Sequence, residues 1–128
     1  MRHNRQMTST HKGQTGLRRI WNALFYSLDG LKAAFRHEAA FRQEVLLTLI
    51  LLPLAFWLGD SGVEKALMAG SVLFVLIVEL LNSSVEAIVD KASPEAHELA
   101  KRAKDMGSAA VLLSLALVAL TWILALSH

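Results

Sequence analysis

The chain has 128 residues, of which 54% are hydrophobic and 19% charged, and 13 Lys and Arg stand against 11 Asp and Glu for a formal net charge of +2. So short and apolar a sequence excludes an ordinary soluble enzyme with spare loops and reads as a small integral membrane protein. The lack of cysteine excludes a disulfide framework and a thiolate metal site, and leaves the redox compartment unread.

Residues 1–15 are polar and expected to be a disordered extension, with residues 16–128 forming one membrane domain. No apolar core with a small-residue cleavage site occupies the first thirty residues, so no cleaved signal peptide is expected. Before the first apolar segment, Arg2, Arg5, Lys12, Arg18, Arg19, Lys32 and Arg36 face one early acid, Asp29. A basic arm beside a membrane is a cytoplasmic signature. Leu17, Ile20, Trp21, Leu24, Phe25, Leu28, Leu31 and Phe35 recur at spacings of three and four with Arg and Lys between them. This predicts an amphipathic helix over about 17–36, lying on the membrane or packed on the bundle. Its spacing and the adjoining spans favour anionic lipid over nucleic acid as the partner of the basic charges.

Three apolar segments follow, and a hydrocarbon core needs ~20 residues per helix. The first is extended back through Ala39, Ala40 and Phe41, giving spans at about 39–58, 64–89 and 103–126. The expected fold is therefore an all-α membrane protein, three transmembrane helices preceded by an amphipathic surface helix. Pro53 falls inside the first span and should kink it, while Trp57 and Trp122 suit an interfacial aromatic belt. The loop 59–65 carries Asp60, Glu64 and a single Lys, whereas the loop 91–105 carries Lys91, Lys101, Arg102 and Lys104. The second loop and the N-terminus should be cytoplasmic, with the chain ending outside.

The second span holds the most informative pattern, Glu79-Leu-Leu-Asn82-Ser83-Ser84-Val85-Glu86-Ala-Ile-Val-Asp90. At 100° per residue, positions 79, 82, 83, 86 and 90 share one face. A carboxylate in hydrocarbon costs roughly 2.5 to 3.5 kcal/mol even on the lenient insertion scale, so such a stripe is functional or else a polar glue between helices. Counted from Lys65, Glu79 lies ~21 Å into the helix and Glu86 ~10 Å deeper toward the cytoplasm. There a lipid head group can meet a water-soluble cosubstrate. The two carboxylates are too far apart along the axis to grip one ion together, so Glu86 needs another acid.

Candidates lie on the other cytoplasmic ends: Glu38 and Glu44 before the first span, and Lys101, Lys104, Asp105 and Ser108, spaced i, i+3, i+4 and i+7, opening the third. Hard oxygen ligands with a nearby Lys are what magnesium and phosphate chemistry requires. Taken alone, the third group is also a solvated helix start with a dipole-friendly acid. No Walker loop or Gly-rich kinase loop is present, so a nucleotide site would have to be built from helices. A non-enzymatic reading, a small assembly or proton-relay subunit using Glu79, explains the wet helix but not the crowding of Glu38, Lys104 and Asp105 at its mouth.

Three blocks carry a resemblance: Phe41-Arg-Gln-Glu44 after Glu38-Ala-Ala, Val78-Glu79-Leu-Leu-Asn82-Ser-Ser-Val-Glu86-Ala-Ile-Val-Asp90, and Ala103-Lys104-Asp105-Met-Gly-Ser108-Ala-Ala-Val111. They are similar to the signature blocks of the prokaryotic diacylglycerol kinase family, from about Gly16 to the C-terminus. The resemblance implies a homotrimer in the bacterial inner membrane, with active sites shared between protomers. It also implies a magnesium-dependent transfer of the ATP γ-phosphate to a lipid hydroxyl. Diacylglycerol is the expected acceptor, and related small kinases that phosphorylate undecaprenol are the alternative. Carried over by motif, Glu79 resembles the general base, and Glu38 with Glu86 the magnesium ligands. Asn82 would orient groups beside the base, Lys104 would neutralise charge on the moving phosphoryl group, and Asp105 would help hold the nucleotide. Arg19, Tyr26, Glu95, Ala96 and His97 are implied near the nucleotide. Arg19, Arg42, Gln43, Glu44 and Ser108 are implied near the lipid head group. His97 has an equal claim to being a solvated loop histidine.

Overall fold

The computed structural model describes residues 12–92 and 97–128. Four helices follow one another: α1 (Lys12–His37), α2 (Ala39–Leu58), α3 (Gly62–Ala92) and α4 (Glu98–Leu126). Two compact units divide after Ala33. In the first unit, Leu17, Ile20 and Trp21, which carry the three-and-four spacing, are each more than 60% exposed. Trp21 and Phe25, one turn apart, meet edge to face at 5.4 Å.

The second unit runs from Ala34 to His128. Its three helices of 20, 31 and 29 residues are long and apolar enough to cross a membrane. The chain is a multi-pass membrane protein. At 1.5 Å per residue, α3 extends about 46 Å, well beyond a hydrocarbon core of about 30 Å, so its ends must reach water. α3 is the central element, and both α2 and α4 pack against it.

Each break between helices has a local cause. Glu38 adopts an extended conformation, and the Arg42 guanidinium turns back to donate to the carbonyls of Phe35 and Arg36 at 2.9 and 3.0 Å. Those are last-turn carbonyls that α1 cannot satisfy itself. At the α2–α3 turn, the Gly59 N–H donates to the Ala55 carbonyl at 3.0 Å, and Ser61 Oγ accepts from the Glu64 N–H at 3.1 Å. The serine thus supplies an N-cap for α3. His97 does the same for α4, its Nδ1 accepting from the Leu99 N–H at 3.1 Å.

The contact between elements is narrow. Ala55, Met68 and Ala69 form a buried cluster, with Leu52, Trp122 and Ala125 against it. Small residues let backbones approach closely, which suits association in a solvent as apolar as the side chains. Trp122 is tied to this seam, its indole N–H donating to the Met68 carbonyl at 3.2 Å. Trp57 remains 78% exposed. Large apolar side chains such as Leu49, Ile50, Leu112 and Leu113 also point outward. In a membrane these are solvent-facing residues.

Candidate functional site

The polar stripe of α3 faces its neighbours. Glu79 is buried, at 6% exposure, and Asn82, Ser83 and Glu86 are half-buried on the same side, while Leu81, Val85 and Ile88 are exposed. The 3.6-residue turn places 79, 82, 83 and 86 together, and the packing of α2 and α4 then covers them. Glu44, Glu86 and Glu38 all bear electrostatically on Glu79. Acids from α2, from the break before it and from α3 are therefore gathered around one buried carboxylate. Like charges near a poorly solvated carboxylate disfavour one another, and a cation beside them lowers that cost.

Two protein cations are at hand. The Lys104 ammonium on α4 pairs with Asp90 on α3 at 2.5 Å, and the charge of Glu86 also reaches it. Arg42 spends its hydrogen bonds on the end of α1. Asp105 pairs within its own helix with Lys101 at 2.7 Å, and Ser108 and Gln43 are exposed. Glu38 makes no capping hydrogen bond with its side chain, and among the described residues neither it nor Glu86 forms an ion pair. Both carboxylates therefore remain available as hard oxygen donors, which fits a magnesium ion that keeps water and phosphate as its other ligands.

Arg19 and Tyr26 are exposed on the first unit. Glu95 and Ala96 lie outside the described residues. His97 serves as the N-cap of α4.

A second gathering of ligand-type side chains has no signal in the sequence. Asp60 and Glu64 at the α2–α3 turn meet His128 beyond α4, with ligand atoms within 4.8 Å of one another. It lies at the opposite end of α3 and α4 from Glu86 and Lys104, and His128 forms an ion pair with Asp60. The hydrogen bond to Asp60, then the negative charges of Asp60 and Glu64, push the His128 imidazole above its usual range. Two residues of the main site also escape sequence reading. Asp90 stands on the polar stripe, but only the helix crossing shows that it holds Lys104. Gly107 has no side chain to signal anything, yet a Cβ there would fall 2.0 Å from Asn82 Oδ1.

The family model of prokaryotic diacylglycerol kinases matches residues 25–126. A diacylglycerol kinase of Pseudomonas aeruginosa is 59% identical over 114 residues, covering 89% of this chain and 93% of the relative. One of Haemophilus influenzae is 52% identical over 84% of this chain and 92% of the relative. One of Escherichia coli K12 is 50% identical over 89% and 94%. The family match takes in Glu38, Glu79, Glu86 and Lys104 and begins after Arg19.

Proposed function

This chain belongs to the prokaryotic diacylglycerol kinase family and is a diacylglycerol kinase, and from that premise we propose that Glu79 is the general base of the transfer. The lipid hydroxyl gives its proton to the Glu79 carboxylate as its oxygen attacks the γ-phosphorus of ATP. The bond from that phosphorus to the β–γ bridging oxygen breaks, and ADP and phosphatidic acid leave. The observation that carries this reading is the burial of Glu79 within reach of Glu44, Glu86 and Glu38, with Lys104 across the seam. A carboxylate kept from water, at the depth of the head groups, has a lipid hydroxyl as its natural proton donor.

Asn82, one turn along the same face, orients groups beside the base. Lys104 presents positive charge where the phosphoryl group passes, and positioned charge is most of what phosphoryl transfer requires. Glu38 and Glu86 would hold Mg2+, which when bound supplies charge neutralisation to the ATP phosphates. Asp105 and His97 contribute to the nucleotide side, with Arg19, Tyr26, Glu95 and Ala96. Arg42, Gln43, Glu44 and Ser108 contribute to the lipid side.

The working unit in this proposal is a homotrimer in the bacterial inner membrane, with the N-terminus cytoplasmic and sites shared between protomers. With α2 and α4 packed on α3, the spanning windows are at most 17% buried, so one copy leaves most of its helix surface to lipid or to neighbouring copies. The distribution of Lys and Arg between the two loops supports the orientation.

The test is transfer of label from ATP, with magnesium, in mixed micelles offering diacylglycerol and undecaprenol in parallel. Label on diacylglycerol, lost in Glu79→Gln while the variant still binds nucleotide, is the expected result. Full activity of Glu79→Gln would remove the base assignment. Label on undecaprenol alone would keep the chemistry and change the acceptor.

A further inference from the structure

We propose that Gly107 is a positioning residue for the transfer: its missing side chain lets α4 close on α3 so that the Asn82 carboxamide is wedged in the seam beside Glu79. This rests on the role given to Asn82 above. A Cβ built on Gly107 would lie 2.0 Å from Asn82 Oδ1, 3.1 Å from its Cγ and 3.9 Å from its Cβ. The Oδ1 contact is closer than a Cβ tolerates, and exchanging the amide oxygen and nitrogen leaves an atom in the same place, so the carboxamide must turn out of its seat, while the 3.1 Å contact at Cγ asks for a few tenths of an ångström more.

Gly62 and Gly70 on α3 would accept a Cβ with nothing within 4 Å, and at Gly59, in the α2–α3 turn, the nearest atom would be Lys65 Cγ at 2.7 Å, so the 2.0 Å approach between two spanning helices is found at Gly107. Asn82 Oδ1 is buried without a hydrogen-bond partner among the described residues, so the seat is made by shape and not by a bond. Such an orphaned acceptor is costly, and it is tolerated where function uses it. Around it, Glu79 lies three residues earlier and Glu86 four later on α3, and Lys104 lies three residues before Gly107 on α4, tied to Asp90 at 2.5 Å. Gly107 thus stands where the base, the carboxamide and the phosphoryl-side lysine are brought to one register. Without a side chain it can do this only by close approach.

A double-mutant cycle on the full chain in diacylglycerol micelles tests the idea, reading kcat, and KM for ATP, in Asn82→Ala, Gly107→Ala and the pair. Gly107→Ala is expected to lower kcat about tenfold or more with KM for ATP within about twofold, and to change kcat by less than about twofold once Asn82 is already Ala. Losses that multiply would show that Gly107 acts without Asn82 and overturn the proposal, as would an unchanged kcat in Gly107→Ala. Should Gly107→Ala fail to fold, recovery of folded trimer in the double variant supports the wedge, and continued failure overturns it. Full activity of Asn82→Ala would instead remove the role of Asn82, and the proposal with it.

Discussion

Glu79 is placed where a carboxylate is expensive, at 6% exposure on a helix whose neighbouring residues are apolar. Charges in a membrane segment persist where they pair or act, and no ion pair of Glu79 exists among the described residues. If Glu79 is the base proposed above, Glu79→Gln keeps the shape and removes the proton acceptor, so turnover should fall by about 10²- to 10⁴-fold, as measured by label transfer at saturating lipid and ATP. Glu38→Gln and Glu86→Gln should both shift the magnesium dependence to higher concentration by similar factors in a metal titration of the rate. A shift in only one would argue against a shared ion. Lys104 was legible as a cation at the mouth of the site, while its partner Asp90 was not, because the pairing depends on two helices meeting eight residues beyond Asn82.

At the scale of elements, the helices are joined by a few specific ties. The indole of Trp122 reaches the Met68 carbonyl, an oxygen that also accepts from Ser71 Oγ at 2.8 Å. Removing the indole N–H therefore leaves no orphaned acceptor, and Trp122→Phe should cost only about 1 kcal/mol in reversible unfolding in detergent. The tie of His128 to Asp60 and Glu64 gives α4 and the α2–α3 turn a pH-dependent link. Because the hydrogen bond to Asp60 raises the folded-state value of His128, its contribution is fully present below the unfolded value. It is lost as pH rises through the raised one. The thermal midpoint should therefore lose a small increment as pH climbs from about 6.5 upward, and Asp60→Asn should flatten that dependence; a steeper fall in the variant would contradict it. Sequence showed these helices by period and hydropathy, but not their ties, since Trp122 as an isolated aromatic near a segment end reads equally well as a belt residue.

For the whole molecule, the orientation is the property most open to test. A periplasm-dependent enzyme reporter fused after Asp60 should be active, and one fused after Ala92 inactive; the reverse would place the acidic cluster on the wrong side for ATP. The sequence by itself determined the class of the molecule. Hydrophobic runs of spanning length leave a backbone no choice but to satisfy its hydrogen bonds within each segment, and a 100° turn per residue puts Glu79, Asn82, Ser83 and Glu86 on one face whatever the surroundings. The family blocks were likewise contiguous in the chain, so the lipid-kinase identity was readable from them. Only the tertiary structure decided which neighbours that face meets: the register of α4 on α3 that sets Gly107 against Asn82 and Lys104 against Asp90, and the turn of the chain that brings His128 back to Asp60. Those contacts join residues far apart in sequence through the close packing of particular shapes. Helical period does not encode such packing, and a residue with no side chain leaves no trace of it.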